Sequence, residues 1–327
     1  MLSFKDFIYL PWLISNITCK SLIKAYFYHQ VMIDITFLGT SAMLPTKDRN
    51  HPSVYLEYKG RGILFDCGEG TQRQMRISGI SPAKIHVICL SHWHGDHSFG
   101  LMGLLQTMSV SNVNHQVTVI GPKDTVKNIE KLHEIFYSDL NYELNIIETS
   151  NDSIRFDGFL IESIMLEHNV PTLGFAFVQD DARKMKKKKL KEENIEDGPW
   201  LGLLQQGKEA KYKDNVLSPD EYTDVVKGMK VSYVSDTLYC DNAVRIAKDA
   251  DLVISESTLM QKHEEKSLQY THLTAEKAAM IASNANAKEL IITHFSQRYS
   301  NTEEIVDEAR AVFPNTRAAF DFMKIKL

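Results

Sequence analysis

Cysteine is scarce in this chain: 327 residues include four, Cys19, Cys67, Cys89 and Cys240, and none of them forms a C-x-x-C pair. That spacing excludes a disulfide framework and a cysteine-held zinc site, and it fits a cytoplasmic protein. Cys67 falls in a strand-to-loop turn, where a small packing residue is a simpler reading than a nucleophile. Long apolar runs are missing too. The run Phe7-Ile8-Tyr9-Leu10-Pro11-Trp12-Leu13-Ile14 is too short to span a bilayer, and it lacks the basic flank and small-residue cleavage site of a signal peptide. No membrane partner is expected. Nor is there an excess of positive charge: a formal net charge of −5 argues against a broadly basic nucleic-acid coat, so a polyanion would have to meet a local basic patch. Internal repeats at solenoid periods are absent as well.

A hydrophobic fraction of 43% with 24% charged residues describes a globular protein, and the length allows one large domain or two smaller ones. Met32 precedes Ile33-Asp34-Ile35-Thr36-Phe37-Leu38-Gly39-Thr40, whose alternation predicts a first strand. The functional domain is expected over 32–327, with residues 1–31 a leader outside the fold, either an accessory segment or a mis-assigned start. A hairpin follows, 53–58 and 62–66 around Lys59-Gly60-Arg61, and then Gly68 and Gly70 allow a tight turn into a helix. Helices are predicted over 101–108, 125–137, 242–250, 274–282 and 303–312, alternating with strands at 117–120, 230–235, 252–255, 289–293 and 318–325. Such alternation supports a layered α/β fold.

The densest chemistry lies at 91–97, Ser-His-Trp-His-Gly-Asp-His, directly after the apolar strand-like run 85–90. Three imidazoles and a carboxylate, His92, His94, Asp96 and His97, are a donor set suited to zinc or a similar first-row metal. On an extended backbone His92 and His94 point to the same side, and Gly95 lets the chain turn so that Asp96 and His97 approach a second position. One metal needs about four ligands and two need more, so further donors must come from elsewhere. His168, Asp236 and His294 each follow a short apolar run, where a sheet presents functional groups at its edge.

Two metals about 3.5–4 Å apart activate a water and clamp an oxygen of the electrophile, an arrangement used in phosphodiester hydrolysis. Asp96 would ligate and also accept the water's proton, and the leaving oxygen would still need an acid. His272 stands at the start of a predicted helix, and Glu256 follows the strand at 252–255; a carboxylate beside an imidazole raises its pKa and orients it as a proton donor. Hydrogen bonding at the helix N-terminus is the competing reading of His272.

Residues 183–191 hold seven basic side chains in nine, followed by Glu192, Glu193 and the turn-prone Asp197-Gly198-Pro199. Such a run is either a solvated helix face or a basic projection that grips a phosphate backbone. With no periodic core pattern there, it is expected to be a flexible arm leaving the body of the fold.

The His-x-His-x-Asp-His pattern with the later His, Asp and His resembles the metallo-β-lactamase superfamily. That resemblance implies an αββα sandwich with metals at one edge: His92, His94 and His168 on one zinc, Asp96, His97 and His294 on the other, and Asp236 bridging. Phe37-Leu38-Gly39-Thr40, Pro45-x-Lys47-x-Arg49-Asn50, Gly68-Glu69-Gly70-Thr71-Gln72-Arg73-Gln74, His272-Leu273-Thr274 and Thr293-His294-Phe295-Ser296-Gln297-Arg298-Tyr299 together are similar to the short form of the ribonuclease Z family, over about 32–327. The family implies a homodimeric endoribonuclease that cuts precursor tRNA after the discriminator nucleotide, leaving a 3′-hydroxyl on the tRNA and a 5′-phosphate on the trailer. It implies two Zn2+ per subunit, with Mn2+ or another divalent metal as substitute.

By position, the resemblance makes Asp96 the general base and His272, supported by Glu256, the proton donor. It sets Ser296 and Arg298 at the scissile or neighbouring phosphate and Lys47 and Arg49 at the acceptor end. Residues 180–215, with Lys186, Lys187, Gly198 and Pro199, become an exosite arm that binds the tRNA elbow while the other subunit cuts. The chain departs from the family in its leader and in the concentration of its lysines. A small-molecule hydrolase with the same metals, such as a phosphodiesterase, arylsulfatase, lactonase or thioesterase, is the alternative, because one fold hosts many chemistries. The basic run and Arg298 favour RNA. A non-catalytic RNA-binding scaffold is opposed by the complete donor set and by His272.

Overall fold

The computed structural model describes residues 32–327; the expected leader, 1–31, lies outside the described residues. Strands β1 (Ile33–Gly39), β2 (Ser53–Tyr58), β3 (Arg61–Phe65), β4 (Ile85–Cys89), β5 (Val117–Gly121) and β6 (Leu144–Glu148) build the first sheet. Strands β7 (Ser153–Phe156), β8 (Phe159–Leu166) and β9 (Thr172–Gln179) begin a second. The chain then leaves for β10 (Ala182–Met185), β11 (Ala210–Tyr212), β12 (Asn215–Leu217) and β13 (Thr223–Val226). It returns with β14 (Lys230–Val234), β15 (Leu252–Glu256), β16 (Leu290–Thr293) and β17 (Thr316–Ala318), and ends on β18 (Lys324–Lys326). The two large sheets have seven strands each, in the orders β18-β1-β2-β3-β4-β5-β6 and β17-β16-β15-β14-β9-β8-β7.

Period-two alternation makes the layers. Ile63 and Phe65 of β3 face the core between the sheets while Leu64 faces outward; Leu252 and Ile254 of β15 face the same core while Val253 faces the other way. Outside the first sheet lies an apolar layer that includes Met75 of helix Thr71–Ser78, Leu101 and Leu105 of helix Leu101–Val110, and Ile129 of helix Thr125–Phe136. Outside the second, Ile246, Ala278 and Ile305 come from helices Asp241–Ala247, Ala275–Asn284 and Glu303–Val312. The result is the expected αββα sandwich. Within it β3 to β6 run parallel, as do β14 to β17, so several strands of each sheet deliver their C-terminal ends to one edge.

Three local expectations need correction. The hairpin turn is two residues, not three: Lys59 and Gly60 both have positive φ (50° and 76°), and Arg61 already pairs with Tyr58. A turn of that hand matches the twist of the flanking strands. The strand expected over 318–325 is two strands in different sheets. β17 pairs with β16, the chain crosses at 319–323 with Phe322 at φ 69°, and β18 pairs with β1. Finally, Thr274 is not in its helix but caps it, its hydroxyl accepting from the Lys277 N–H.

Residues 182–226 form a small lobe enclosed by the β10–β13 pair. Its helices Lys187–Glu192, Pro199–Gln205 and Pro219–Tyr222 and the β11–β12 hairpin bury Leu190, Leu201, Leu204, Tyr212, Leu217 and Tyr222 against one another. Among the described residues no helix is long and apolar enough to cross a membrane.

Candidate metal centre

Four of the seven candidate donors sit just past a strand end at that shared edge, His92 after β4, His168 after β8, Asp236 after β14 and His294 after β16, while Glu256 closes β15. The first sheet and its following helix Gly95–Ser98 supply His92, His94, Asp96 and His97, and the second sheet supplies the rest. All seven converge. His92 Nε2 and His168 Nε2 lie 3.0 and 3.3 Å from His94 Nδ1. His97 Nε2 and His294 Nε2 are 3.2 Å apart, and Asp96 Oδ2 stands 3.5 and 3.4 Å from them. Asp236 serves both groups, its Oδ2 3.8 Å from His92 Nε2 and 3.3 Å from His97 Nε2, its Oδ1 3.5 Å from His294 Nε2.

The outer nitrogens decide what the inner ones are. His97 Nδ1 donates to Asp66 Oδ2 at 2.7 Å, and His168 Nδ1 to the Thr271 carbonyl at 2.8 Å. Ser91 Oγ gives its proton to Asp66, so it accepts from His92 Nδ1 at 2.9 Å; Thr258 Oγ1 gives its own to Glu256 Oε2, so it accepts from His294 Nδ1 at 2.8 Å. Four imidazoles therefore present bare Nε2 lone pairs to the centre. Lone pairs facing one another at about 3 Å repel unless a cation lies between them. The buried Asp236 Oδ1 also has no hydrogen-bond partner. This donor set fits divalent metal binding, with His92, His94, His168 and Asp236 in one group and Asp96, His97 and His294 in another.

Electrostatics agree with that fit. Burial holds His92 well below the ordinary imidazole range, so it is neutral and able to ligate. Burial acts on His97 in the same direction, but Asp236, Asp66 and Asp96 override it and raise its pKa well above normal, the mark of a field that favours a cation. Burial works to raise Asp96, yet His97 and His294 bring its carboxyl down to about 2.

His272 lies beside the cluster, its Nδ1 3.2 Å from Glu256 Oε1 and 3.7 Å from Asp236 Oδ2. Glu256 is buried and held by the Thr237 N–H at 2.9 Å and the Thr258 hydroxyl at 2.6 Å. Burial alone would lower the His272 pKa, but the Glu256 and Asp236 carboxylates raise it to about 9. With Nδ1 turned to Glu256, Nε2 is the atom free to meet a substrate.

Asp66, expected as the last residue of the hairpin strand 62–66, lies just past the end of β3 instead. Fully buried, its carboxylate accepts from Ser91 N–H, Ser91 Oγ, Tyr233 Oη and His97 Nδ1. Both Asp66 (φ 57°) and His294 (φ 60°) hold a left-handed backbone, a strain of order 1–3 kcal/mol each of the kind that collects at functional sites. Gly68 brings this turn against the histidine motif: a Cβ there would lie 2.4 Å from the Asp96 carbonyl. Asp321 is a second residue without a sequence signal, accepting from Thr40 Oγ1, Asn50 N–H and Gln74 Nε2 and so fixing the loop that carries Lys47 and Arg49.

Arg49 donates to the Tyr299 carbonyl at 2.9 Å and stacks over Phe295, which joins that loop to the segment of Ser296 and Arg298. Arg298 Nε donates to Ser296 Oγ at 3.1 Å. Lys47 is exposed beside Asp48. Lys186, Lys187, Gly198 and Pro199 belong to the lobe and not to the cluster; Gly198 precedes and Pro199 starts helix Pro199–Gln205. Several lysines of the basic run meet acids within the lobe: Lys186 reaches Asp224, Lys188 Glu192, and Lys189 Glu193 and Glu221.

Residues 46–174 match the metallo-beta-lactamase superfamily. Ribonuclease Z of Methanothermobacter thermautotrophicus is 37% identical over 302 residues, 90% of this chain and 97% of that protein. Ribonuclease Z of Archaeoglobus fulgidus is 36% identical over 303 residues, covering 91% and 98%. The crystal structure of human tRNase Z, short form, superposes with a TM-score of 0.66 at 28% identity, over 89% of this chain and 98% of that one. With identity at this level along nearly the whole of both chains, and a donor set complete at the sheet edge, the chain belongs to the ribonuclease Z family of the metallo-β-lactamase superfamily.

Proposed function

We propose that the chain is a zinc-dependent endoribonuclease that removes the 3′ trailer from precursor tRNA after the discriminator nucleotide, leaving a 3′-hydroxyl on the tRNA and a 5′-phosphate on the trailer. The observation that carries this reading is the His272–Glu256 pair, 3.2 Å apart, beside a full set of seven metal-type donors in a chain of this family. Held by His92, His94 and His168 on one side, by Asp96, His97 and His294 on the other and by Asp236 between them, two Zn2+ ions would supply Lewis-acid polarisation and a water acidified to near neutral pKa.

The chain's own residues do the rest. Asp96, held ionised by His97 and His294, takes the proton of the attacking water. His272 delivers a proton from Nε2 to the departing 3′-oxygen, while Glu256 holds Nδ1 and keeps the ring turned. Ser296 and Arg298 bind the scissile or neighbouring phosphate, and Lys47 and Arg49 the acceptor end. The lobe at 182–226 grips the tRNA elbow across a homodimer, and the enzyme works in the cytoplasm.

End-labelled precursor tRNA with a 3′ trailer, incubated with wild type and with Asp96→Ala, tests this directly. A single metal-dependent cut after the discriminator, lost in the variant, is the expected outcome. No cut by a metal-loaded wild type would move the function to the small-molecule hydrolases.

A further inference from the structure

Beside the strand ends of the metal centre lies a cavity of about 470 Å³ whose lining includes Lys262, His263, Arg298, Tyr299, Asn301 and Glu304. Its walls are tied to the catalytic edge from two directions. The Met260 N–H donates to Tyr299 Oη at 3.0 Å, and the Ser296 N–H to the Thr258 carbonyl at 3.3 Å, so the wall after Thr258 and the wall after His294 move together. Thr258 itself touches His294 and Glu256. The cavity is therefore fixed relative to the reacting centre and is not a loose surface hollow.

Its charge is also unlike the rest of an acidic chain. Lys262 and Arg298 line it, and Lys266 lies close enough to act on His263. Burial, then the same Arg298, Lys266 and Lys262, push the His263 pKa below the ordinary range. Among the lining residues the one carboxylate is Glu304, 3.4 Å from Lys262 in an exposed pair that competes weakly with a better anion. Ammonium, guanidinium, imidazole and the Asn301 amide around a polar cavity form the donor set for a phosphate.

Resting on the function proposed above, we infer that Lys262 and His263, with Arg298 on the opposite wall, bind a phosphodiester of the RNA substrate other than the one cut. The shared chemistry is a backbone phosphate, which either the trailer or the tRNA body would supply. These two residues then set RNA affinity without taking part in bond cleavage.

The test uses the zinc-loaded full chain, a series of precursor tRNAs with trailers from one to about twenty nucleotides, and a small chromogenic phosphodiester. Lys262→Ala with His263→Ala is expected to raise KM for long-trailer precursor severalfold and to lower its salt slope by about one, as for loss of one phosphate contact. Turnover of the small phosphodiester stays at the wild-type value, which also reports a folded, metal-loaded site. Lys262→Arg restores KM, and Glu304→Gln lowers it by relieving the competing charge. A defect that disappears with the one-nucleotide trailer assigns the phosphate to the trailer; one that persists at every length assigns it to the tRNA body. Unchanged KM and salt slope in the double variant, beside a wild type that cuts normally, would overturn the inference alone. A wild type that cuts no precursor tRNA would overturn the functional reading and this inference together.

Discussion

Replacing Asp66 with asparagine tests whether the fixed tautomers make the metal site. The carboxylate accepts four hydrogen bonds in the interior, one of them from His97 Nδ1. An amide of the same size keeps one acceptor, for the Ser91 N–H, and turns an NH2 toward the Tyr233 hydroxyl, the Ser91 hydroxyl and the His97 ring. Two donors then face each other at His97. The ring escapes by moving its proton to Nε2, which aims a hydrogen at the cluster where a lone pair had been, 3.3 Å from Asp236 Oδ2. Disturbing a partner of this kind costs about 10- to 100-fold in metal affinity, or roughly 1.4–2.7 kcal/mol. Competition against a chromophoric zinc chelator measures it, with a thermal melt of the metal-free protein to separate folding from binding. Tyr233→Phe is the control, because it removes one donor to Asp66 and leaves the His97 bond, so its zinc affinity should stay within about threefold of wild type. Wild-type affinity in a folded Asp66→Asn protein would refute the idea that the outer nitrogens set the inner ones.

Other outcomes follow from the same geometry. His272→Ala should lower turnover on precursor tRNA by about 10²- to 10⁴-fold while zinc content, read by elemental analysis, stays at the wild-type level, since proton transfer is lost and the donor set is intact. Asp236→Ala removes the carboxylate shared by both groups and should lose at least one metal together with activity. Stripping the metals with a chelator should abolish hydrolysis and lower the melting temperature; a ligand present at about 1,000 times its Kd contributes roughly 4 kcal/mol. Excising 183–225 and joining Ala182 to Val226, which are paired opposite each other, through a short glycine turn should spare hydrolysis of a small phosphodiester and weaken precursor tRNA binding. Equal loss on both substrates would refute the separate role of the lobe.

The site was legible in the sequence because its chemistry is local in kind: a donor directly after an apolar run, at 92, 168, 236 and 294. Asp66 obeys the same rule, following β3 directly, but the expected hairpin strand 62–66 took it in as the strand's last residue and so hid it as a donor. The tail was misread because 318–325 alternates like a strand. Ala319 and Met323 are indeed buried and Phe320 is exposed, but the alternation is produced by a turn that carries the chain from one sheet to the other. The lysine run resisted reading for another reason. Its acidic partners Glu221 and Asp224 return some thirty residues later, when β13 pairs with β10, and Leu190 and Leu201 find their apolar partners only in that lobe.

Because donors from both sheets meet in one cage, the catalytic edge works as a gauge of how the sheets are aligned. Tyr233 of the second sheet stacks on Phe65 of the first, with ring centroids 5.4 Å apart, and its hydroxyl reaches Asp66, so one side chain couples the hydrophobic interior to the imidazole that faces the cations. A slip of half an ångström is cheap for the greasy middle layer and expensive for a coordination sphere. Core substitutions near Phe65, far too mild to unfold the chain, should therefore register first as lost catalysis, and directed repacking of that interior would tune the enzyme from within.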